Sequence, residues 1–142
     1  MKAKLLQEGM YVLVFDKGEE AMRGLLAFAR EHGLTAARIT AIGAFSDVKL
    51  GYFDPERSDY DEIRLQEQVE VLSLLGDIAL EGTEPKVHAH VVVGRSDGTT
   101  RGGHLLEGHV WPTLEVVLDS SAAHLRKRSD PETGLALIDP DL

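Results

Sequence analysis

Only one stretch of this chain has the spacing of an amphipathic helix. Met22, Leu25, Leu26 and Ala29 recur at three- and four-residue intervals and make one apolar stripe. Asp16 offers an N-cap, and Glu19 and Glu20 put negative charge in the first turn. Gly33 follows as the C′ residue, with His32 just before it to partner the C-terminal dipole. The pattern predicts a helix over Gly18–His32. Every other patterned segment reads as strand. Met10–Phe15 is apolar throughout, as a strand central in its sheet should be. Ala37–Gly43, Val48–Phe53, Gln68–Leu75, Ile78–Leu80, Val87–Val93, a run from Thr100 through Leu106, and Thr113–Leu118 follow, with Leu135–Ile138 fitting an edge strand. Gly43 suggests a bulge or bend, Gly76-Asp77 a bend, and Ser58–Gln66 a polar loop leading into a strand.

One helix covers only part of one face of such a sheet. Large apolar patches are rare on soluble monomers, so the other face also needs cover. Either the sheet curls into a half-barrel or another subunit packs on it, and a homo-oligomer is expected. The 142 residues carry no internal repeat, low-complexity tract or linker, so residues 1–142 are read as one domain.

Composition excludes several functions. The absence of cysteine removes disulfides, thiolate metal sites and cysteine nucleophiles. Any transition-metal site must be built from histidine, carboxylate or water. Near the N-terminus Glu8 and Gly9 interrupt the apolar residues, which is not a signal-peptide pattern, and no run reaches membrane-span length. A soluble cytoplasmic protein with no membrane contact is expected. The net charge of −9 disfavours binding to phosphates. The one dense basic cluster, Arg126-Lys127-Arg128, is the candidate nucleic-acid contact, and as a short cluster it reads first as a solvated surface segment. No nucleophile elbow, phosphate-binding loop or dinucleotide fingerprint is present.

The chemistry concentrates in one hairpin. Side chains alternate along a strand, so His88 and His90 point to the same side. His104 follows Gly102-Gly103 on the return strand. Three imidazoles would leave a metal position open for water or substrate. The register decides whether they converge. A two-residue turn at Asp97-Gly98 would put His104 opposite Val91 and turn it away. A one-residue change puts it opposite His90, so the metal reading requires a three-residue loop or a bulge at Gly102-Gly103. Glu70 and Glu115 are candidate carboxylates to orient an imidazole, or ordinary alternating strand residues. His109 could be a fourth ligand, but it lies past Gly108 and reads first as a loop histidine, and His124 has no partner in sequence.

Several phrases together resemble a known family. They are Ile42-Gly43-Ala44, Leu50-Gly51-Tyr52-Phe53, Glu70–Ile78, His88-Ala89-His90, Gly102-Gly103-His104-Leu105, Thr113-Leu114-Glu115-Val116, and Arg128-Ser129-Asp130 with Thr133-Gly134-Leu135. Their order and spacing, from Met10 to Leu137, resemble the plants-and-prokaryotes-conserved (PPC) domain, which accompanies AT-hook motifs in plant nuclear proteins. The resemblance implies an α+β fold: a curved, mostly antiparallel β-sheet with one main amphipathic helix packed on it, assembled as a trimer. It also implies a divalent metal, commonly zinc, on His88, His90 and His104. The chain lacks the Arg-Gly-Arg-Pro core of an AT-hook, so DNA association rests on the family label alone and direct DNA binding is not expected. The leading reading is a homotrimeric metal-binding interaction module, with a protein partner or small molecule at the metal. The alternative is a metal-dependent enzyme of hydrolase or lyase type using the open position, for which no catalytic residue is assigned. Neither reading discloses a biological role.

Overall fold

The computed structural model describes residues 1–142. In chain order the elements are β1 (Lys2–Gln7), β2 (Met10–Phe15), α1 (Ala21–Glu31), β3 (Ala36–Asp54), β4 (Asp59–Leu65), β5 (Val69–Glu81), β6 (Glu84–Gly94), β7 (Thr100–Ser120), β8 (Arg126–Ser129) and β9 (Ala136–Ile138). Apart from the parallel β5–β8 contact, every pairing is antiparallel. The fold is α+β with a curved sheet, as expected. Strand β3 pairs with β5, β5 with β6, β6 with β7, and β7 returns to β3, so the sheet curls back on itself.

Curling separates an inner from an outer face. Ile39, Leu74, Ile78, Ala89, Val91, Leu105, Leu114, Val116 and Leu118 point inward and belong to one buried apolar cluster. Helix α1 adds Ala21, Leu25, Phe28 and Ala29 to it and lies against β6 and β7. No helix is long and apolar enough to cross a membrane.

The helix is shorter at its N-terminus than its pattern suggests. Glu20, not Asp16, is the cap: its carboxylate accepts from Met22 N at 3.0 Å and Arg23 N at 2.7 Å. The segment before it is drawn onto β7 instead, where Gly18 N donates to Val110 O and Val110 N donates to Glu19 O. The C-terminus follows expectation: Gly33 has φ +60°, and His32 Nδ1 lies 3.1 Å from Phe28 O.

The strands run further than their patterns suggest. Strands β3 and β7 each join two expected segments, because each changes partner along its length while its backbone continues. The pairing slips between Ala41 and Gly43, placing the expected irregularity. Strand β5 passes through Gly76-Asp77 without a break in its pairing to β6. Strands β1 and β4 lack apolar alternation because they are edge elements, with β1 exposed along its whole length, and β8, four residues long between β5 and β9, is too short to show it.

Two rows on the outer face matter for function. Asp119, Arg38, Asp77 and His88 stand side by side across β7, β3, β5 and β6. The next row is Val117, Thr40, Leu75, His90 and His104. Ile42, Leu72, Leu75 and Val117 line one shallow apolar depression on this face, with Ile42 and Leu75 each 60% exposed. The uncovered face inferred from the one-helix argument is therefore real in the single chain.

Candidate metal centre

Strand β6 supplies the first two imidazoles by simple alternation. Ala89 and Val91 are buried inside, which sends His88 and His90 outward. His104 joins because β6 and β7 pair with His90 directly opposite His104. Of the two devices the sequence allows, the loop makes this register. Arg95 N donates to Thr99 O at 2.8 Å, closing the three-residue loop Ser96-Asp97-Gly98. Gly98 takes φ +81°, a conformation other residues rarely adopt, and Asp97 Oδ1 accepts from both Thr99 N and Thr99 Oγ1. The β6–β7 pairing has no bulge at Gly102-Gly103. Gly103 instead allows close approach, since a Cβ there would sit 2.7 Å from Gly51 O.

One ring nitrogen from each of His88, His90 and His104 lies within 4.8 Å of the others. The Nε2 atoms of His88 and His90 are 3.2 Å apart. Two imidazoles on one tetrahedral zinc, at about 2.05 Å each, would place their nitrogens about 3.3 Å apart. Those two ligands stand close to bonding separation already. His104 Nδ1 is buried with no hydrogen-bond partner, an arrangement that costs free energy unless something fills it. Tyr60 packs against this ring with centroids 4.8 Å apart. A nitrogen-rich, carboxylate-free donor set suits zinc and similar borderline divalent ions rather than magnesium or calcium.

The surroundings of His88 and His104 favour their neutral form, the one that binds metal. Burial pushes His104 down to about 4, with repulsion from His88, His90 and Lys127 adding to it. His88 is also lowered, first by burial and then by the Lys127 charge, against an opposing pull from Asp77.

Asp77 is the carboxylate beside the triad. It stands opposite His88, and its Oδ2 is 3.8 Å from His88 Nδ1. The expected carboxylates lie elsewhere: Glu70 opposite Gly94, and Glu115 opposite Ile42 on one side and Val14 on the other. The signal for Asp77 was the tight turn at Gly82-Thr83. Pairing Glu81 with Glu84 across it and counting back brings Asp77 to His88.

The basic run is divided. Strand alternation sends Lys127 away from its neighbours, and its side chain is only 7% exposed, with Nζ 3.8 Å from Asp77 Oδ1. Arg128 Nε pairs with Asp139 at 2.9 Å, and Arg126 donates to Gly82 O. The other histidines stand apart from the triad. His109 Nδ1 is 2.8 Å from Asp47 Oδ1 and is raised above its ordinary value chiefly by that hydrogen bond. His124 is exposed.

Comparisons with known proteins agree with this picture. The family model of the Plants and Prokaryotes Conserved (PCC) domain matches residues 5–122. A crystal structure of a candidate DNA-binding protein from Bacteroides thetaiotaomicron superposes with a TM-score of 0.95 at 28% identity, covering 99% of this chain and 98% of that one. A metal-containing protein from Archaeoglobus fulgidus superposes with a TM-score of 0.84 at 35% identity, covering 96% of each chain. The bifunctional protein GlmU of Synechococcus sp. is 34% identical over 128 residues, which are 88% of this chain and 19% of that protein. The chain thus spans about a fifth of the length of the curated relative it matches.

Proposed function

Because the chain belongs to the Plants and Prokaryotes Conserved domain family, we propose that it is a homotrimeric metal-binding interaction module holding zinc on His88, His90 and His104. The observation that carries this reading is the convergence of three imidazole nitrogens within 4.8 Å, on a triad in which His104 Nδ1 is buried without a partner. The metal-containing relative from Archaeoglobus fulgidus supports the metal.

Each residue has a part in this reading. His88 and His90 present Nε2 from one strand, and His104 completes the set from the strand opposite. Asp77 faces Nδ1 of His88, where it favours the tautomer that leaves Nε2 free. When bound, zinc would supply a Lewis-acidic position for a ligand or for water. Ile42, Leu75 and Val117 form the subunit contact, and the charged row of Asp119, Arg38 and Asp77 forms its rim.

Direct DNA binding is outside this reading. The chain is acidic, and strand alternation denies it a single Arg126-Lys127-Arg128 patch. The metal-dependent hydrolase or lyase is the second reading, favoured by a donor set that stops at three ligands.

Metal analysis and native mass on protein purified without an affinity tag test the proposal. Wild type should carry one zinc per chain in a three-chain assembly, and a His88→Ala/His90→Ala variant should carry none. A metal-free wild type after zinc addition would end both metal readings.

A further inference from the structure

Strand β8 enters the sheet at a free edge of β5. Strand β6 pairs with β5 from Glu70 to Glu81, and β3 occupies the other edge only as far as Ala79. Strand β8 continues that edge in parallel, with Leu80 beside Arg126 and Glu81 beside Lys127, and Leu80 N donates to Leu125 O at 2.7 Å. Strand β9 backs β8, and Arg128 Nε pairs with Asp139 just past it. This hairpin lies beyond residue 122, where the matched family segment ends.

The hairpin carries Lys127 to Asp77, a carboxylate with competing neighbours. His88 stands opposite Asp77 on β6, and Arg38 stands opposite it on β3, on its other side. Asp77 Oδ2 is 3.8 Å from His88 Nδ1, while Oδ1 is buried without a hydrogen bond and lies 3.8 Å from Lys127 Nζ. Arg38 is exposed and engaged with Asp119 Oδ2 at 3.1 Å. The Lys127 side chain is 7% exposed, so its attraction is screened less than that of a surface charge. Without it, Asp77 Oδ1 would be buried with no counter-charge. The cation left in its row would then be Arg38, on the side away from His88.

We propose that Lys127 is a positioning residue of the metal site. It anchors Asp77 Oδ1, so that Oδ2 stays turned to His88 Nδ1 and His88 Nε2 stays directed at the metal. Lys127 acts through the carboxylate and not on the metal. A carboxylate that orients a ligating imidazole works only while it is itself oriented. The proposal rests on the metal reading above and adds the C-terminal hairpin to what holds the site in shape.

Zinc affinity, from competition against a chelating dye, gives the test. It is measured on wild type, Asp77→Ala, Lys127→Met, Lys127→Arg and the Asp77→Ala/Lys127→Met pair. Methionine keeps an apolar stem and removes the charge, and metal-free melting temperatures report the fold of each variant separately. Lys127→Gln takes its place if the methionine variant does not fold. The expected result is about tenfold weaker zinc binding in Lys127→Met, with most of the loss recovered in Lys127→Arg. Adding Lys127→Met to Asp77→Ala should cost nothing further, because residues that act through one contact are not additive. Unchanged zinc affinity in Lys127→Met would overturn the proposal and leave the metal reading intact. A loss of the same size in the Asp77→Ala background would do so too, as would a loss that Lys127→Arg does not recover. No zinc binding by wild type would overturn both.

Discussion

Asp77 stands directly opposite His88 across the β5–β6 ladder, with Oδ2 3.8 Å from the ring Nδ1. The imidazole is thus flanked by a carboxylate on one nitrogen and by His90 Nε2 at 3.2 Å on the other. In the proposed metal site, Asp77 would support this ligand from behind. Asp77→Ala should weaken zinc binding by about 10–100-fold, the usual cost of losing such a carboxylate. Competition against a chelating dye measures it, and an unchanged affinity would remove Asp77 from the site.

The metal-free protein should lose stability on acidification. His104 is pushed down to about 4 in the folded state, mainly by burial, and His88 is lowered for the same reason. The unfolded chain therefore takes up protons first, near the ordinary histidine value of about 6.5. The contribution is full above that value and is lost as pH falls through it toward about 4. Melting temperatures of metal-free wild type and His104→Phe, followed from pH 7 to pH 4 (about 3 units), should show a flatter profile in the variant.

His109 contributes with the opposite sign. Its hydrogen bond to Asp47 raises it, so its stabilisation is present below the ordinary histidine value and is lost as pH rises through the folded one. Asp47→Asn should bring the NMR titration midpoint of His109 down. A midpoint that does not move would assign the shift to another neighbour.

Leu75 and Ile42 are each 60% exposed on the outer face. In the proposed trimer a charge there would be buried without a partner. Leu75→Glu should therefore reduce the sedimenting species to a single chain while leaving its circular dichroism unchanged. A variant that still sediments as an assembly would place the subunit contact elsewhere.

Glu20 is a buried carboxylate that accepts backbone N–H groups from Met22, Arg23 and Gly108. It caps the helix and ties it to β7 at the same time. Glu20→Ala should cost about 2–4 kcal/mol in urea denaturation, combining a lost cap with unpaired buried donors. A loss no larger than that of an exposed cap would show that Gly108 finds another acceptor.

The residues themselves determined a good deal. A single three-and-four stripe among many strand patterns marked α1 and left a sheet face without cover, and Ile42, Leu75 and Val117 now occupy that face. Alternation alone put His88 and His90 on one side. Counting residues showed that His104 could meet them only through an odd loop or a bulge, because opposed residues share a face.

Tertiary structure decided the rest, because turn geometry sets the register of each hairpin and distant segments become neighbours only in the folded sheet. Asp97 and Gly98 close the three-residue loop that places His104 opposite His90. The turn at Gly82-Thr83 sets Asp77 rather than Glu70 or Glu115 beside the triad. Glu20 displaces Asp16 as the helix cap because β7 claims the backbone between them. Lys127 looked like the middle of a basic surface run until the β5–β8 pairing carried it to Asp77. A one-dimensional pattern records which side of its own strand a residue faces. What stands opposite it is fixed by register and by which strands become neighbours, and those are set by packing of the whole chain.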